Sequence, residues 1–153
     1  MRLGARLVVL GAIFGADRLT KLWALRWLRP RATVPLLPFF SLTYVENTGA
    51  AFGIGFSRNG FFIVLSAVLG AVLIYLQRAW RGKNGWVQAG LLLVLGGALG
   101  NLYDRVLYGF VVDFLDFRVW PVFNVADSCV SVGACCLAWG MHVDDLRAPG
   151  RDL

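Results

Sequence analysis

Two long segments without a formal charge are the feature that most constrains the fold of this chain. Asn59–Gln77 and Asn84–Tyr103 contain no Asp, Glu, Lys or Arg. Each is close to the roughly 20 apolar residues that a helix needs to cross a bilayer. Of the 153 residues, 58% are hydrophobic and only 16% are charged, whereas about 25% of a soluble domain is charged. The sequence therefore predicts an integral membrane protein.

Two further segments complete a predicted four-helix fold. Ser128–Val143 is uncharged and reaches spanning length if its helix begins near Asn124, and Leu7–Ala16 does so if its helix continues to about Leu25. We predict one mainly helical domain over residues 1–153, with helices at about 5–25, 59–77, 84–104 and 124–143. The net charge of +6 does not indicate nucleic-acid binding, because the basic residues flank apolar segments and suit lipid headgroups.

Four crossings alternate in direction, which gathers the acidic residues at one face of the membrane. The loops 26–58 and 105–123 lie at that face. The turn on the other side holds Arg78, Arg81 and Lys83 without an acid, which favours a cytoplasmic location for it. The loop face also carries arginines, at positions 26, 29, 31 and 58, so the count of basic residues supports this orientation only weakly. Six of the nine acidic residues are predicted at the loop face: Asp17, Glu46, Asp104, Asp113, Asp116 and Asp127.

The two loops also contain strand-like segments. Phe39–Val45 mixes aromatic, β-branched and polar residues, and GFVVDFLDF in the second loop could pair with it. We predict a small sheet on the extracytoplasmic membrane surface. Alternation along a strand would place Asp113 and Asp116 on opposite faces. In the helices, the small-xxx-small pairs Gly11/Gly15 and Gly96/Gly100 predict close helix approach.

Carboxylates beside hydrocarbon are costly, and are functional candidates by default. If Asp113 and Asp127 meet, they could share one proton and activate water. Asp127 lies three residues after Asn124 at a helix start, where an anion is favoured. The plainer alternatives are that Asp127 only complements the helix dipole and that Asp113 is a solvated loop acid. Asp17 and Lys21, spaced i, i+4, predict an ion pair.

Neutral amides and one cation complete the candidate set. Asn47, Asn101 and Asn124 could hold a substrate backbone, orient a carboxylate or satisfy helix ends, and Asp104 and Arg105 could pair with neighbours or a headgroup. No metal or cofactor motif is visible. The cysteines at 129, 135 and 136 are interpreted as packing residues, and the single histidine at 142 as an interface residue.

Five sequence blocks, in order, resemble the bacterial lipoprotein signal peptidase (signal peptidase II) family. They are ADRLTK at 16–21, VENTGAAFG at 45–53, GGALGNLYDR at 96–105, GFVVDF at 109–114 and FNVAD at 123–127. The resemblance implies an aspartic endopeptidase of the bacterial inner membrane, with cytoplasmic termini and a site near the extracytoplasmic face. Its substrates would be prolipoproteins carrying a diacylglyceryl group, cleaved before the lipidated cysteine.

Carried over by motif, the catalytic pair is Asp113 and Asp127, and Asp116 lies outside it. The resemblance also nominates residues that bind substrate or support the site: Asp17, Lys21, Asn47, Gly49, Asn101, Asp104, Arg105 and Asn124. It implies no metal and no cofactor, and membrane lipid and prolipoprotein as partners. We expect the protein to be functional as a monomer.

Two other functions are compatible with acids in a membrane protein. A small proton-coupled transporter also uses intramembrane carboxylates, but it commonly has internal repeats and a midplane site, which this sequence does not show. A non-enzymatic assembly factor with polar interface residues does not explain why two carboxylates flank one loop.

Overall fold

A computed structural model describes residues 3–49 and 58–147 of the chain. Residues 50–53 of the VENTGAAFG block, the end of the first predicted loop and both ends of the predicted 1–153 domain lie outside the described residues.

The described chain is mainly helical, as predicted. Helix α1 spans Leu3–Trp23 and continues through a π-helical turn at Ala24–Leu28 and a 3₁₀ turn at Arg29–Arg31; helices α2, α3 and α4 span Arg58–Ala79, Gly85–Tyr108 and Val125–Arg147. Gly109 ends α3 with a left-handed φ of 82°, a conformation that glycine adopts without steric cost.

Helix α3 is the centre of the bundle, because it packs against each of the other three helices. Its buried residues Val87, Leu91 and Leu95 form one core with Leu73 of α2. Helix α2 leaves most of its apolar surface uncovered, as a lipid-facing helix does. Within the described part of the chain, α2 from Asn59 onward and α3 are long and apolar enough to cross a membrane.

The glycine prediction is half right. A Cβ atom at Gly96 would lie 2.7 Å from Ile13 and one at Gly100 would lie 2.6 Å from Asp17, so these glycines allow α3 to approach α1. The prediction is wrong for Gly11 and Gly15, where no heavy atom of the described residues lies within 4 Å of such a Cβ. Helix α1 faces α3 with the side of its surface that carries Ile13 and Asp17.

A three-stranded antiparallel sheet joins the helices at one end of the bundle. Strands β1 (Thr33–Leu37), β2 (Phe40–Asn47) and β3 (Val111–Asp116) lie in the order β1-β2-β3. The strand predicted at Phe39–Val45 and the strand predicted after α3 are both present. Strand β1 was not predicted because it contains Pro35, which is tolerated there since β1 is an edge strand.

The register of β2 and β3 fixes the two acids of the last strand. Val45 pairs with Asp113 and Ser41 pairs with Asp116, with a bulge between Leu42 and Val45. A second core of Ala24, Leu28, Val112 and Phe114, all nearly inaccessible, seals β3 against the end of α1. This packing holds Asp113 at the junction between sheet and bundle.

Candidate active site

Asp113 lies inside the protein, in the middle of β3, with 1% of its surface exposed. Asn124 Nδ2 donates a hydrogen bond to Oδ1 at 2.6 Å, and Asn47 Nδ2 donates one to Oδ2 at 2.9 Å. Burial and the nearby charge of Asp127 raise the pKa of Asp113 from 3.8 to about 6, against the opposing effect of these hydrogen bonds. The alternative that Asp113 is a solvated loop acid is therefore wrong.

Asp127 lies in the first turn of α4 and forms a reciprocal cap with Asn124. The backbone N–H of Asp127 donates to Asn124 Oδ1 at 2.9 Å, and that of Asn124 donates to Asp127 Oδ2 at 3.2 Å. This is the capping-box arrangement, with Asn and Asp in place of the usual residues. The other oxygen, Oδ1, accepts a 2.7 Å hydrogen bond from Asn101 Nδ2. Asp127 therefore stabilises the helix start and also faces the polar interior.

Asn124 brings the two carboxylates together. It is completely buried, and its side-chain amide binds Asp113 while its backbone amide binds Asp127. Asn47 and Asp113 of the strands therefore meet Asn124 and Asp127 of the α4 start at one end of the bundle.

Asp116, three residues further along β3, has different partners. It accepts hydrogen bonds from Thr43 Oγ1 at 2.7 Å and from the backbone N–H of Arg118 at 2.8 Å, and these bonds lower its pKa.

A second pair of acids lies beside the first, but cations surround it. Lys21 Nζ lies 3.0 Å from Asp17 Oδ2 and 2.9 Å from Asp104 Oδ2, and all three side chains are fully buried. The predicted i, i+4 pair between Asp17 and Lys21 is thus confirmed. Arg18 contacts the same two carboxylates, at 3.0 Å and 2.6 Å. These residues form a four-member ion cluster of Asp17, Arg18, Lys21 and Asp104.

The ion cluster also supports the surrounding backbone. Asp17 Oδ1 accepts the backbone N–H of Ala126 at 3.1 Å, and Asp104 Oδ2 accepts that of Val112 at 3.2 Å. One carboxylate therefore binds the start of α4 and the other binds β3. Sequence reasoning missed Arg18, although its position between Asp17 and Lys21 in a membrane helix was a signal that it lies near the same acids.

Asn101 connects the ion cluster to the candidate pair. Its Oδ1 accepts hydrogen bonds from Lys21 Nζ at 2.9 Å and Asn124 Nδ2 at 3.1 Å, while its Nδ2 donates to Asp127. The three predicted amides, at positions 47, 101 and 124, therefore all contact a candidate carboxylate. Gly49 donates its N–H to Asn47 Oδ1 at 2.9 Å with a left-handed φ of 74°.

Arg105 is the exception among the predicted residues. Its half-buried guanidinium lies 5.0 Å from the centre of the Phe62 ring, and no carboxylate of the described residues lies within 4 Å of it. Its backbone oxygen accepts a hydrogen bond from Asn59. Within residues 3–49 and 58–147, no group of three His, Cys, Asp or Glu side chains is placed to hold a metal ion. His142 contacts Trp139 near the far end of α4.

This arrangement resembles known proteins in both sequence and fold. The family model for signal peptidase (SPase) II matches residues 9–143. A lipoprotein signal peptidase of Caldanaerobacter subterraneus subsp. tengcongensis is 46% identical over 137 residues, which cover 88% of this chain and 94% of that protein. One of Clostridium acetobutylicum is 47% identical over 145 residues, covering 88% and 92% of the two chains.

Solved structures agree with this similarity. A bacterial membrane enzyme determined by the in meso method at 2.3 Å resolution superposes with a TM-score of 0.82 at 27% identity, covering 99% of this chain and 95% of that one. Another, at 1.9 Å resolution, also gives a TM-score of 0.82, at 28% identity over 91% and 93% of the two chains.

Proposed function

The chain belongs to the signal peptidase II family of membrane-bound aspartic peptidases, and we propose that Asp113 and Asp127 are its catalytic pair. Membership in an enzyme family argues against the transporter and the assembly factor as alternatives. The observation that carries the assignment is Asn124, which binds both carboxylates and keeps them in one buried polar pocket.

The proposed chemistry needs no group beyond these acids and a water molecule. Two neighbouring carboxylates do not both ionise easily, so they share one proton, and the pKa of about 6 for Asp113 fits such a pair. The ionised acid takes a proton from water, and the water oxygen bonds to the peptide carbonyl carbon. The protonated acid gives its proton to the carbonyl oxygen. The acid that took the proton from water then passes it to the nitrogen, the C–N bond breaks, and a hydroxyl of the intermediate returns a proton to the other acid.

We propose that the substrates are diacylglyceryl-modified prolipoproteins, cleaved before the lipidated cysteine. The relatives are lipoprotein signal peptidases by name. The pocket supports this substrate because it lies where a peptide in the sheet and acyl chains along the helices could both reach it. Binding energy from the acyl chains would position the peptide bond for attack. Gly49 and Arg105, at the edge of the pocket, are proposed to contact the peptide.

Topology and assembly complete the proposal. We propose that the protein acts as a monomer, with membrane lipid as its surroundings. We propose cytoplasmic termini and an extracytoplasmic pocket in the bacterial inner membrane, supported by the basic turn at Arg78–Lys83. Single cysteines placed at Arg81 and Val119, on a background without the three native cysteines, should react with an impermeant maleimide from opposite sides of oriented vesicles.

The test uses the purified protein in liposomes with a diacylglyceryl-modified precursor and the same precursor without lipid. Asp113→Asn and Asp127→Asn should each reduce kcat/KM by about 10²–10⁴-fold, the usual contribution of one acid–base group. Asp116→Asn is the matched control on the same strand. The unmodified precursor should be cleaved far more slowly, and a chelator should leave the rate unchanged. Cleavage at the wild-type rate by either dyad variant would refute the assignment.

A further inference from the structure

From the residues that the structure describes, the two carboxylates of the proposed pair receive equal numbers of hydrogen bonds, but from different kinds of donor. Asp113 accepts from two side-chain amides, those of Asn47 and Asn124. Asp127 accepts from the Asn101 side-chain amide and from a backbone N–H at the start of α4. The number of hydrogen bonds therefore does not decide which acid keeps the shared proton. The charged groups that contact the donor side chains must decide it.

The buried ammonium of Lys21 contacts Asn101, one of the two donors to Asp127. Lys21 Nζ is inaccessible and donates to Asn101 Oδ1 at 2.9 Å, while Asn101 Nδ2 donates to Asp127 Oδ1 at 2.7 Å. A cation on the oxygen of an amide withdraws electrons from its N–H groups and strengthens the bonds they donate. In a buried site such chains of hydrogen bonds reinforce one another. Asn47, the corresponding donor to Asp113, accepts on its oxygen the N–H of Gly49, which is its one donor among residues 3–49 and 58–147.

Resting on the catalytic pair proposed above, we propose that Lys21 is a positioning residue that acts through Asn101 to keep Asp127 ionised and so leaves the shared proton on Asp113. Asp127 is then the base that takes the proton from water, and Asp113 is the acid that protonates the carbonyl oxygen. The order of proton transfers is thus set by a lysine that contacts neither reacting acid.

One further observation agrees with this assignment. Asp127 lies at the positive end of the α4 dipole, which favours an anion, whereas Asp113 lies on a strand with little net dipole. The other charged groups that face the pair come from neighbouring elements: Asp17 and Arg18 of α1, and Asp104 and Arg105 of α3. The first three lie in the ion cluster, which is neutral when complete.

The test compares two double variants with the same net charge. Lys21→Met with Asp17→Asn removes the cation that contacts Asn101, and Arg18→Met with Asp17→Asn removes the cluster's other cation. Both clusters stay neutral, and the amide oxygen introduced at position 17 can still accept the Ala126 N–H. Each protein is assayed for kcat/KM against pH, since the acidic limb of this profile reports ionisation of the base in the free enzyme.

We expect the acidic limb of the Lys21 double variant to move to higher pH by about one unit, as for a carboxylate that loses a nearby opposite charge. The sign follows because weakening the Asn101 donor makes ionisation of the base harder. The limb of the Arg18 double variant should stay at its wild-type position, and Lys21→Arg, which keeps a cationic donor, should also keep it there. Equal shifts in both doubles, or none in the Lys21 double, would overturn the proposal.

A second measurement does not depend on activity. Carbon-13 spectra of aspartate-labelled protein in detergent can follow the carboxyls of residues 113 and 127, assigned with the single Asn variants. In the wild type the residue 127 signal should be that of a carboxylate at pH 5, and in the Lys21 double it should move toward the protonated form. An unchanged signal overturns the role of Lys21. Retained cleavage by Asp113→Asn or Asp127→Asn would instead overturn the catalytic pair itself, so the two failures are distinguishable.

Discussion

The same end of the bundle contains two pairs of acids, three of them buried and Asp127 half-buried, and the pairs differ in their partners. Asp17 and Asp104 each lie within 3.0 Å of both Lys21 and Arg18. Asp113 and Asp127 accept hydrogen bonds only from amides among the residues that the structure describes. The first pair is neutralised by cations, whereas the second shares its pocket without a cation in direct contact.

We propose that this difference separates the structural acids from the catalytic ones. Asp17 and Asp104 lie between two cations that balance their charge, and their oxygens serve as fixed acceptors for the backbone N–H groups of Ala126 and Val112. A buried carboxylate that contacts only amides, such as Asp113, has no cation to balance its charge. Its pKa is raised, so that it can gain and lose a proton near neutral pH. Burial alone therefore does not distinguish the proposed catalytic acids from the others, whereas the absence of a contacting cation among the described residues does.

The largest effect on stability should come from breaking the ion cluster. Asp104→Asn removes one carboxylate from the buried Lys21 and the partly exposed Arg18, and we expect a loss of about 3–5 kcal/mol in the free energy of unfolding, as for other buried pairs that lose one partner. Unfolding in mixed micelles measures it. Asp145→Asn is the control, since Asp145 is exposed on α4 and should leave stability close to wild type. Equal stability of the two variants would show that the cluster is not structural.

Loss of the charge of Asp113, in the proposed catalytic pair, should stabilise the folded protein at high pH, whereas loss of the charge of Asp104 destabilises it. An acid whose pKa is raised on folding stabilises the folded state at low pH, and this contribution is lost as pH rises through the folded pKa. For Asp113 the loss runs from about 4 to about 6. Relative to wild type, Asp113→Asn should therefore be more stable at pH 8 than at pH 4, by up to about 3 kcal/mol. Thermal unfolding at the two pH values tests this, and a constant difference would contradict the raised pKa.

Much of the fold follows from the sequence, and the exceptions have physical reasons. Uncharged runs and strand-like loops predict the four helices and two strands because membrane length and side-chain alternation leave few options. Strand β1 is not predicted because its proline is acceptable only at a sheet edge, and the sequence does not show which strand will lie at the edge. The Gly11/Gly15 prediction fails because the sequence does not tell which face of α1 meets α3.

The sequence predicts most residues of the candidate site but not the contacts between them. The blocks around Asp113 and Asp127 single out the acids, and helix spacing predicts the contact between Asp17 and Lys21. No local pattern predicts that Lys21 reaches Asn101, 80 residues away, or that Asn124 reaches back 11 residues to Asp113. Arg18 is missed for the same reason, because its partner Asp104 is supplied by α3.

Asparagine caps at the two ends of the bundle allow a smaller, more specific comparison. Asn124 caps α4 inside the pocket, and Asn84 caps α3 at the opposite end, where it accepts the N–H groups of Trp86 and Val87 and donates to Gly140 and Asp144. Each should lose about 0.5–2 kcal/mol of stability on substitution by alanine. Only Asn124→Ala should also lower kcat/KM, by about 10–100-fold, a loss similar to that of other outer-shell partners.

Assays at a temperature where both alanine variants stay folded separate the two effects. If Asn84→Ala loses as much activity as Asn124→Ala at matched stability, the contact between Asn124 and the carboxylates is not functional.

The smallest effect on activity is expected for substitution of Asp116, the acid nearest to Asp113 in the sequence. It lies on the same strand and also accepts two hydrogen bonds, but it lies at the periphery and its pKa is lowered rather than raised. Asparagine can still accept the N–H of Arg118, so activity should remain within about a factor of two. The pH effect should have the opposite sign to that of Asp113, because an acid with a lowered pKa stabilises the fold above its unfolded pKa and loses that contribution as pH falls. A loss of activity equal to that of Asp113→Asn would assign the catalytic role to Asp116 instead. Hydrogen bonding to amides without a contacting cation would then no longer distinguish the catalytic acids from the structural ones.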